Sequence, residues 1–131
     1  MSHYSDVLID HFQSPRNRGE FSEANAVATA IHGRGAPFVT VYLQIAQETV
    51  VRARFESFGC GIAVAAGSVL TELVVGQSVE ACRKIAANDI IRSLDGVPAG
   101  KEFCADLAIS ALRLALDAQP SSGPYENGVN T

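Results

Sequence analysis

At 131 residues the chain has the length of one domain and can bury a core of its own. Hydrophobic residues make up 47% and charged residues 18%, a globular composition rather than a disordered one. The 10 Lys and Arg against 14 Asp and Glu leave a net charge of −4, which argues against a nucleic-acid binder, and no run of like charge marks a tail or a membrane anchor.

Met1 to Asp10 holds Asp6 and Asp10 and no apolar core of signal-peptide length. The longest apolar stretch, Ile62 to Leu70, is broken by Gly67 and Ser68 and is too short to span a bilayer. The expected location is the cytoplasm. Tyr4, Val7, Leu8, His11 and Phe12 recur at helical spacing and predict a short amphipathic helix that Ser14-Pro15 ends. Arg16 to Gly19 reads as a polar turn. From Val27 the period changes to two. Val39, Val41, Leu43 and Ile45 alternate with Phe38, Thr40, Tyr42 and Gln44, and Val51, Ala53 and Phe55 alternate with Arg52, Arg54 and Glu56. These predict two strands joined as an antiparallel hairpin near Gln47-Glu48, with a weaker strand over Val27 to Ile31. The hairpin turn has no glycine, which leaves its type open. One face of the sheet is apolar, so helices are expected on a single side.

After Gly59-Cys60-Gly61 the pattern is helical. Ala63, Ala66, Gly67, Leu70 and Val74 form one stripe that Gly76 closes. Ser78 is the expected N-cap of a helix carrying Val79, Cys82, Ile85 and Ala86. Asn88 is a candidate cap for a shorter piece before Gly96. A last helix starts near Cys104, carries Leu107, Ala108, Ala111, Leu112 and Ala115, and stops at Pro120. Strands first and helices after read as one α+β domain over 1–118, with 119–131 an expected disordered tail.

An odd number of cysteines, Cys60, Cys82 and Cys104, points to free or metal-bound thiols rather than a disulfide framework. Cys60 lies between two glycines where a strand gives way to a helix. There the backbone can approach a ligand, and the helix dipole favours a thiolate. Metal binding, sulfur acceptance and plain packing in a tight turn all fit it. Cys104 also stands at a helix start, three residues after Lys101, whose charge is expected to lower its pKa. The alternative is that Cys104 only begins an apolar stripe. Cys82 lies on an apolar helix face and reads as structural. His11 reads as a packed or partly exposed histidine. No CxxC pair signals structural zinc, and no nucleophile–base constellation signals conventional catalysis.

Tyr4-Ser5-Asp6-Val7-Leu8-Ile9-Asp10-His11-Phe12, followed by Ser14-Pro15-Arg16-Asn17-Arg18-Gly19, resembles the opening of the IscU and NifU N-terminal domain family. Phe58-Gly59-Cys60-Gly61, with Ala65, Thr71-Glu72 and Gly76, resembles that family's second cysteine motif. Val97-Pro98-Ala99-Gly100-Lys101 before Cys104 resembles the loop that ends in lysine ahead of its third cysteine. The Cys60–Cys104 separation fits the IscU branch. The resemblance implies a three-stranded antiparallel sheet with helices on one face. It also implies a scaffold that receives persulfide sulfur from a cysteine desulfurase, builds a [2Fe–2S] cluster on three cysteines, and passes it to recipient apo-proteins.

The family's first cysteine and aspartate are missing from Gly35-Ala36-Pro37-Phe38-Val39-Thr40, and Phe103 replaces its histidine before the third cysteine. Cys60 and Cys104 are the ligands that carry over, with Lys101 in support. Three readings follow. Cys60 and Cys104 of two chains bridge iron or a cluster in a homodimer, with Phe38 and Phe103 adding apolar surface to bury. Alternatively the chain carries sulfur or one metal. Cys104 is then the persulfide acceptor, or zinc is held by Cys60, Cys104 and one of Asp106, Glu102 or His32. Or it is a cluster-free paralogue that engages a desulfurase as a binding or regulatory module.

Overall fold

The computed structural model describes residues 4–34 and 37–118. The expected tail over 119–131, His3, and Gly35-Ala36 of the loop before Phe38 lie outside the described residues. Within them the order is α1 (Asp6–Gln13), β1 (Ala26–Ile31), β2 (Phe38–Ala46), β3 (Thr49–Phe58), α2 (Gly61–Val74), α3 (Val79–Arg83), α4 (Ala87–Ser93) and α5 (Phe103–Ala118).

The three strands form one antiparallel sheet in the order β1-β2-β3. The two-residue period fixes which side chains meet. Rows such as Ala28–Val41–Phe55 and Ala26–Leu43–Ala53 lie on the inner face, and Thr29–Thr40–Glu56 and Val27–Tyr42–Arg54 on the outer. Helix α5 covers β1 and β2, and α2 covers β3, both on the inner face. Val39, Val41, Leu43, Phe55, Leu70, Leu112 and Leu116 are fully buried between the layers. The α+β architecture with helices on one face is therefore as expected. Gln47 and Glu48 both take positive φ, +53° and +63°, so the hairpin closes in the manner of a type I′ turn without glycine.

Helix α2 approaches the sheet closely at Gly67, where the Phe55 ring lies so near that a Cβ would stand 2.4 Å from Cδ2. The C-cap of α2 is Val75 in extended backbone rather than the expected Gly76, which follows with φ +87° and donates its N–H to the Val50 carbonyl of β3 at 2.8 Å.

Three further details differ from the sequence reading. Of the α1 stripe only Leu8 and His11 are buried, while Tyr4, Val7 and Phe12 are 46, 39 and 48% exposed. The helix is short and rests on α2 by one edge. Helix α3 stops at Arg83, short of Ile85 and Ala86, because the chain breaks there to start α4. Asn88 does not cap α4. Ala86 takes the N-cap position, and the Asp89 carboxylate accepts the Ala86 N–H at 2.8 Å.

The polar turn after α1 works as a clasp. The Arg16 N–H donates to Ser68 Oγ at 2.9 Å, and Asn17 Nδ2 donates to Thr71 Oγ1 at 3.1 Å. The Gly19 N–H donates to the Phe55 carbonyl at 2.7 Å, and the Phe55 N–H to the Asn17 carbonyl at 3.0 Å. Buried His11 adds a contact between Nδ1 and Ser68 Oγ at 2.7 Å. Burial lowers the His11 pKa, and Arg16 lowers it further against the raising pull of Glu72 and Asp10. Neutral His11 then accepts at Nδ1 from the Ser68 hydroxyl, whose oxygen takes the Arg16 N–H. These bonds tie α1 to α2 and cover part of the β3 edge.

Candidate functional site

Two helix starts converge at one end of the layered core. At the end of β3, Gly59 turns the chain with φ +109°, a conformation that suits glycine and few other residues. Cys60 follows as the N-cap residue of α2, with extended backbone and no side-chain capping bond. Cys104 is the second residue of α5, and its N–H donates to the Lys101 carbonyl at 3.1 Å. Their sulfurs lie 3.7 Å apart, with Cys104 Sγ donating to Cys60 Sγ. Cys60 is half-buried and Cys104 is fully buried.

The two thiols are electrostatically unequal. Burial works against a Cys60 thiolate. The amides of Ala63 and Ile62, the Cys104 thiol and the Lys101 charge together outweigh it and bring its pKa below the ordinary 9.0. Burial, then the negative charge and hydrogen bond of Cys60, push Cys104 up to about 12 against the pull of Lys101. The expectation that Lys101 would make Cys104 the acidic thiol is thus corrected. Its cation favours both sulfurs, but burial decides for Cys104. Cys60 is therefore the more acidic thiol of the pair, and Cys104 donates the proton between them. Cys82 is fully buried, its Sγ 3.8 Å from the Val74 carbonyl, and burial raises its pKa, in keeping with a structural role.

Phe12 and Tyr4 of the α1 region lie on the Cys60 side of the pair. The Phe12 ring lies against Gly61, where a Cβ would meet Cε1 at 2.6 Å. Tyr4, Leu8, Phe12, Cys60, Gly61, Ile62 and Lys101 line a cavity of about 190 Å³. Sequence reasoning did not find this cavity. The one available signal was an aromatic pair, Tyr4 and Phe12, in a helix too short to bury both.

The remaining candidates lie apart from a metal site. His32, exposed at the end of β1, packs on Phe103 with ring centroids 4.5 Å apart. The Glu102 carboxylate accepts the Gly100 N–H at 2.9 Å, and Asp106 is exposed in the first turn of α5. Among the described residues no three His, Cys, Asp or Glu side chains gather as a group able to hold a metal ion. Phe103 and Phe38, the two aromatic replacements, separate. Phe103 sits near the thiols under His32, and Phe38 stacks on Phe58 at 6.0 Å on the outer face of the sheet. No described helix is long and apolar enough to cross a membrane.

Residues 3–122 match the NifU-like N terminal domain family. The chain is 35% identical over 113 residues to the iron-sulfur cluster assembly scaffold protein IscU 1 of Archaeoglobus fulgidus, covering 86% of this chain and 74% of that one. It is 36% identical over 117 residues to the iron-sulfur cluster assembly scaffold protein IscU of Escherichia coli, covering 86% and 91%. Its fold is similar to a crystal structure of a putative iron-sulfur cluster assembly scaffold protein for the SUF system from Fervidobacterium islandicum, with a TM-score of 0.73, 24% identity and coverage of 86% and 96%. With the thiol pair set at the starts of α2 and α5 and the three motifs in order around it, the chain belongs to the IscU/NifU N-terminal domain family of iron–sulfur cluster assembly scaffolds.

Proposed function

We propose that this chain handles nascent iron–sulfur clusters as cargo, each chain gripping one iron through Cys60 and Cys104 and a second copy completing the ligand set. The spacing of the two sulfurs carries this reading. Two thiolates on one tetrahedral metal, with bonds of about 2.3 Å, stand about 3.8 Å apart. The pair is already at 3.7 Å, so metal entry requires loss of the thiol protons rather than a rearrangement of the helices. Two thiolates supply half of the four protein ligands of a [2Fe–2S] cluster, which is why the reading includes a homodimer. A cysteine desulfurase would supply sulfur, and recipient apo-proteins would take the product.

A second reading is favoured by one observation, that the described residues gather no third metal-capable side chain at the pair. In it the chain engages a desulfurase without holding a cluster. Anaerobic reconstitution with ferrous iron and sulfide, followed by metal and acid-labile sulfide analysis and mass in solution, separates the two. Two irons and two sulfides per dimer are expected, lost in Cys60→Ser and in Cys104→Ser. A colourless, metal-free monomer would overturn the scaffold reading and leave the second.

A further inference from the structure

The two edges of the sheet are finished differently. The β3 edge is covered at both ends. Asn17 and Gly19 bond to the Phe55 backbone, and Gly76 and Gln77 bond to the Val50 backbone. The β1 edge is bare. The His32 N–H donates to the Pro37 carbonyl at 2.9 Å, in register with the pairs Ala30–Val39, Ala28–Val41 and Ala26–Leu43. Antiparallel ladders alternate, so these residues bond to β2, and the N–H and C=O groups of Val27, Thr29 and Ile31 point outward. Among the described residues no backbone group of another segment meets them.

An edge left to water is ordinarily guarded by a charge, a proline or a bulge. Strand β1 has none of these. No Asp, Glu, Lys, Arg or Pro lies between Glu23 and Arg34. The β1–β2 register runs without a shift, whereas β2–β3 is shifted at Gln44/Ile45. The side chains of Val27, Thr29 and Ile31 are all exposed on the outer face.

We propose that β1 docks against β1 of a second copy of this chain, joining the two sheets into one continuous antiparallel sheet about a two-fold axis at Thr29. The strand is complementary to itself in that register. Val27 stands opposite Ile31 of the second copy, Thr29 opposite Thr29, and Ile31 opposite Val27. These are the residues whose backbone groups point outward, so each pair exchanges both of its bonds. On the outer face apolar side chains meet apolar ones on either side of the threonines, and no like charges face each other. The pairing is isologous and uses the bare edge of both sheets, so it closes at a dimer. The strip is about 20 Å long at about 3.4 Å per residue. With a helix layer about 10 Å thick behind the sheet, it is about 20 Å deep. The contact then buries about 400 Å² per chain, half of the usual value of about 800 Å². That area suits a weak, reversible dimer with a Kd of about 10–100 µM.

This association differs from one that completes a metal site. Ile31 pairs through Phe38 with Phe58, just ahead of Cys60, so the thiols lie at the Ile31 end of the sheet. Antiparallel pairing of β1 puts the thiol sites of the two chains at opposite ends of the joined strands.

The test uses the reduced, chelator-treated full chain, in which no metal bridges the copies. Sedimentation equilibrium and amide hydrogen exchange are followed from about 5 µM to about 1 mM, on both sides of the expected Kd. The weight-average mass is expected to rise from 13.8 kDa toward twice that value and no further. Exchange at Val27, Thr29 and Ile31 should slow several-fold over the same range, and much less at Ala28 and Ala30, which already bond to β2. Val27→Lys sets an ammonium against Ile31 of the second copy at both ends of the pairing and should weaken association about tenfold. Val27→Lys combined with Ile31→Glu puts opposite charges there and should restore it. Both side chains are exposed, so these variants should keep the wild-type circular dichroism. A mass that stays at 13.8 kDa throughout overturns the proposal. So does growth beyond two copies, a dimer whose exchange slows elsewhere than at Val27, Thr29 and Ile31, or association as strong in Val27→Lys as in wild type. Because no metal is present, failed cluster reconstitution leaves this result unaffected, and loss of the β1 contact leaves the reading of the thiol site standing.

Discussion

Alanine at Gly67 would place a methyl group 2.4 Å from Phe55 Cδ2, 2.7 Å from Cε2 and 2.8 Å from Cγ. Ordinary carbon contacts stand at about 3.5–4.0 Å, so the overlap is roughly 0.7–1.6 Å against three ring atoms at once. Phe55 is fully buried in the inner row of the sheet, opposite Val41, and its ring has nowhere to swing. The strain belongs at the top of the usual overpacking range, about 3 kcal/mol. Alanine returns about 1 kcal/mol through its better helix propensity. Net destabilisation of about 2 kcal/mol is expected for Gly67→Ala. Gly61→Ala is the internal control. Its methyl would meet the Phe12 ring at 2.6 Å, but Phe12 is 48% exposed and can rotate outward. A change within about 0.5 kcal/mol is expected there. Urea unfolding followed by circular dichroism measures both. Repeating Gly67→Ala in a Phe55→Leu background should recover at least about 1 kcal/mol of the penalty, which isolates the ring contact. Equal effects at the two glycines, or a Gly67→Ala chain as stable as wild type, would refute the claim that the Phe55 contact sets the height of α2 above the sheet.

Three further outcomes follow from the titrating groups. Burial of His11 depresses its pKa below the ordinary 6.5, so as pH falls the unfolded chain takes up the proton first. The associated stability is complete above about pH 6.5 and is lost as pH drops toward the folded value. Urea unfolding across that range should show a smaller loss for His11→Asn than for wild type, and parallel losses would remove the clasp from the acid response. For the thiols, alkylation with iodoacetamide should label Cys60 first, with its rate rising at lower pH than that of an ordinary thiol. In Cys60→Ser, Cys104 loses the negative neighbour that helps hold it at about 12 and should titrate lower, read from thiolate ultraviolet absorbance. Faster labelling of Cys104 than Cys60 in wild type would contradict the assigned proton.

Patterns carried by neighbours in sequence were legible. Alternation in Phe38–Ile45 and Val51–Glu56 placed β2 and β3, and Gly59-Cys60-Gly61 marked the strand-to-helix change that sets Cys60 at a helix start. Arg16 to Gly19 was legible as a turn but not as a clasp, because its partners Ser68 and Thr71 lie 52 and 54 residues on. The type of the hairpin turn stayed hidden because Gln47 and Glu48 adopt positive φ where glycine or asparagine usually signals it. Cys104 was legible as a thiol at a helix start and misjudged in its acidity. A lysine three residues away shows in the sequence, whereas burial by the rest of the core does not.

The thiol contact joins residues 44 positions apart. In the unfolded chain that separation leaves each sulfur a dilute solute to the other, and folding makes their mutual concentration very high. Anything that then bridges them, a shared metal ion or an S–S bond, closes the same long loop and draws on the same chain entropy. For a closed loop of this length the stapling effect amounts to about 4 kcal/mol. The melting temperature of the chain is therefore itself a gauge of whether the pair is bridged, and loading or unloading the site is felt along the whole span from the start of α2 to the start of α5.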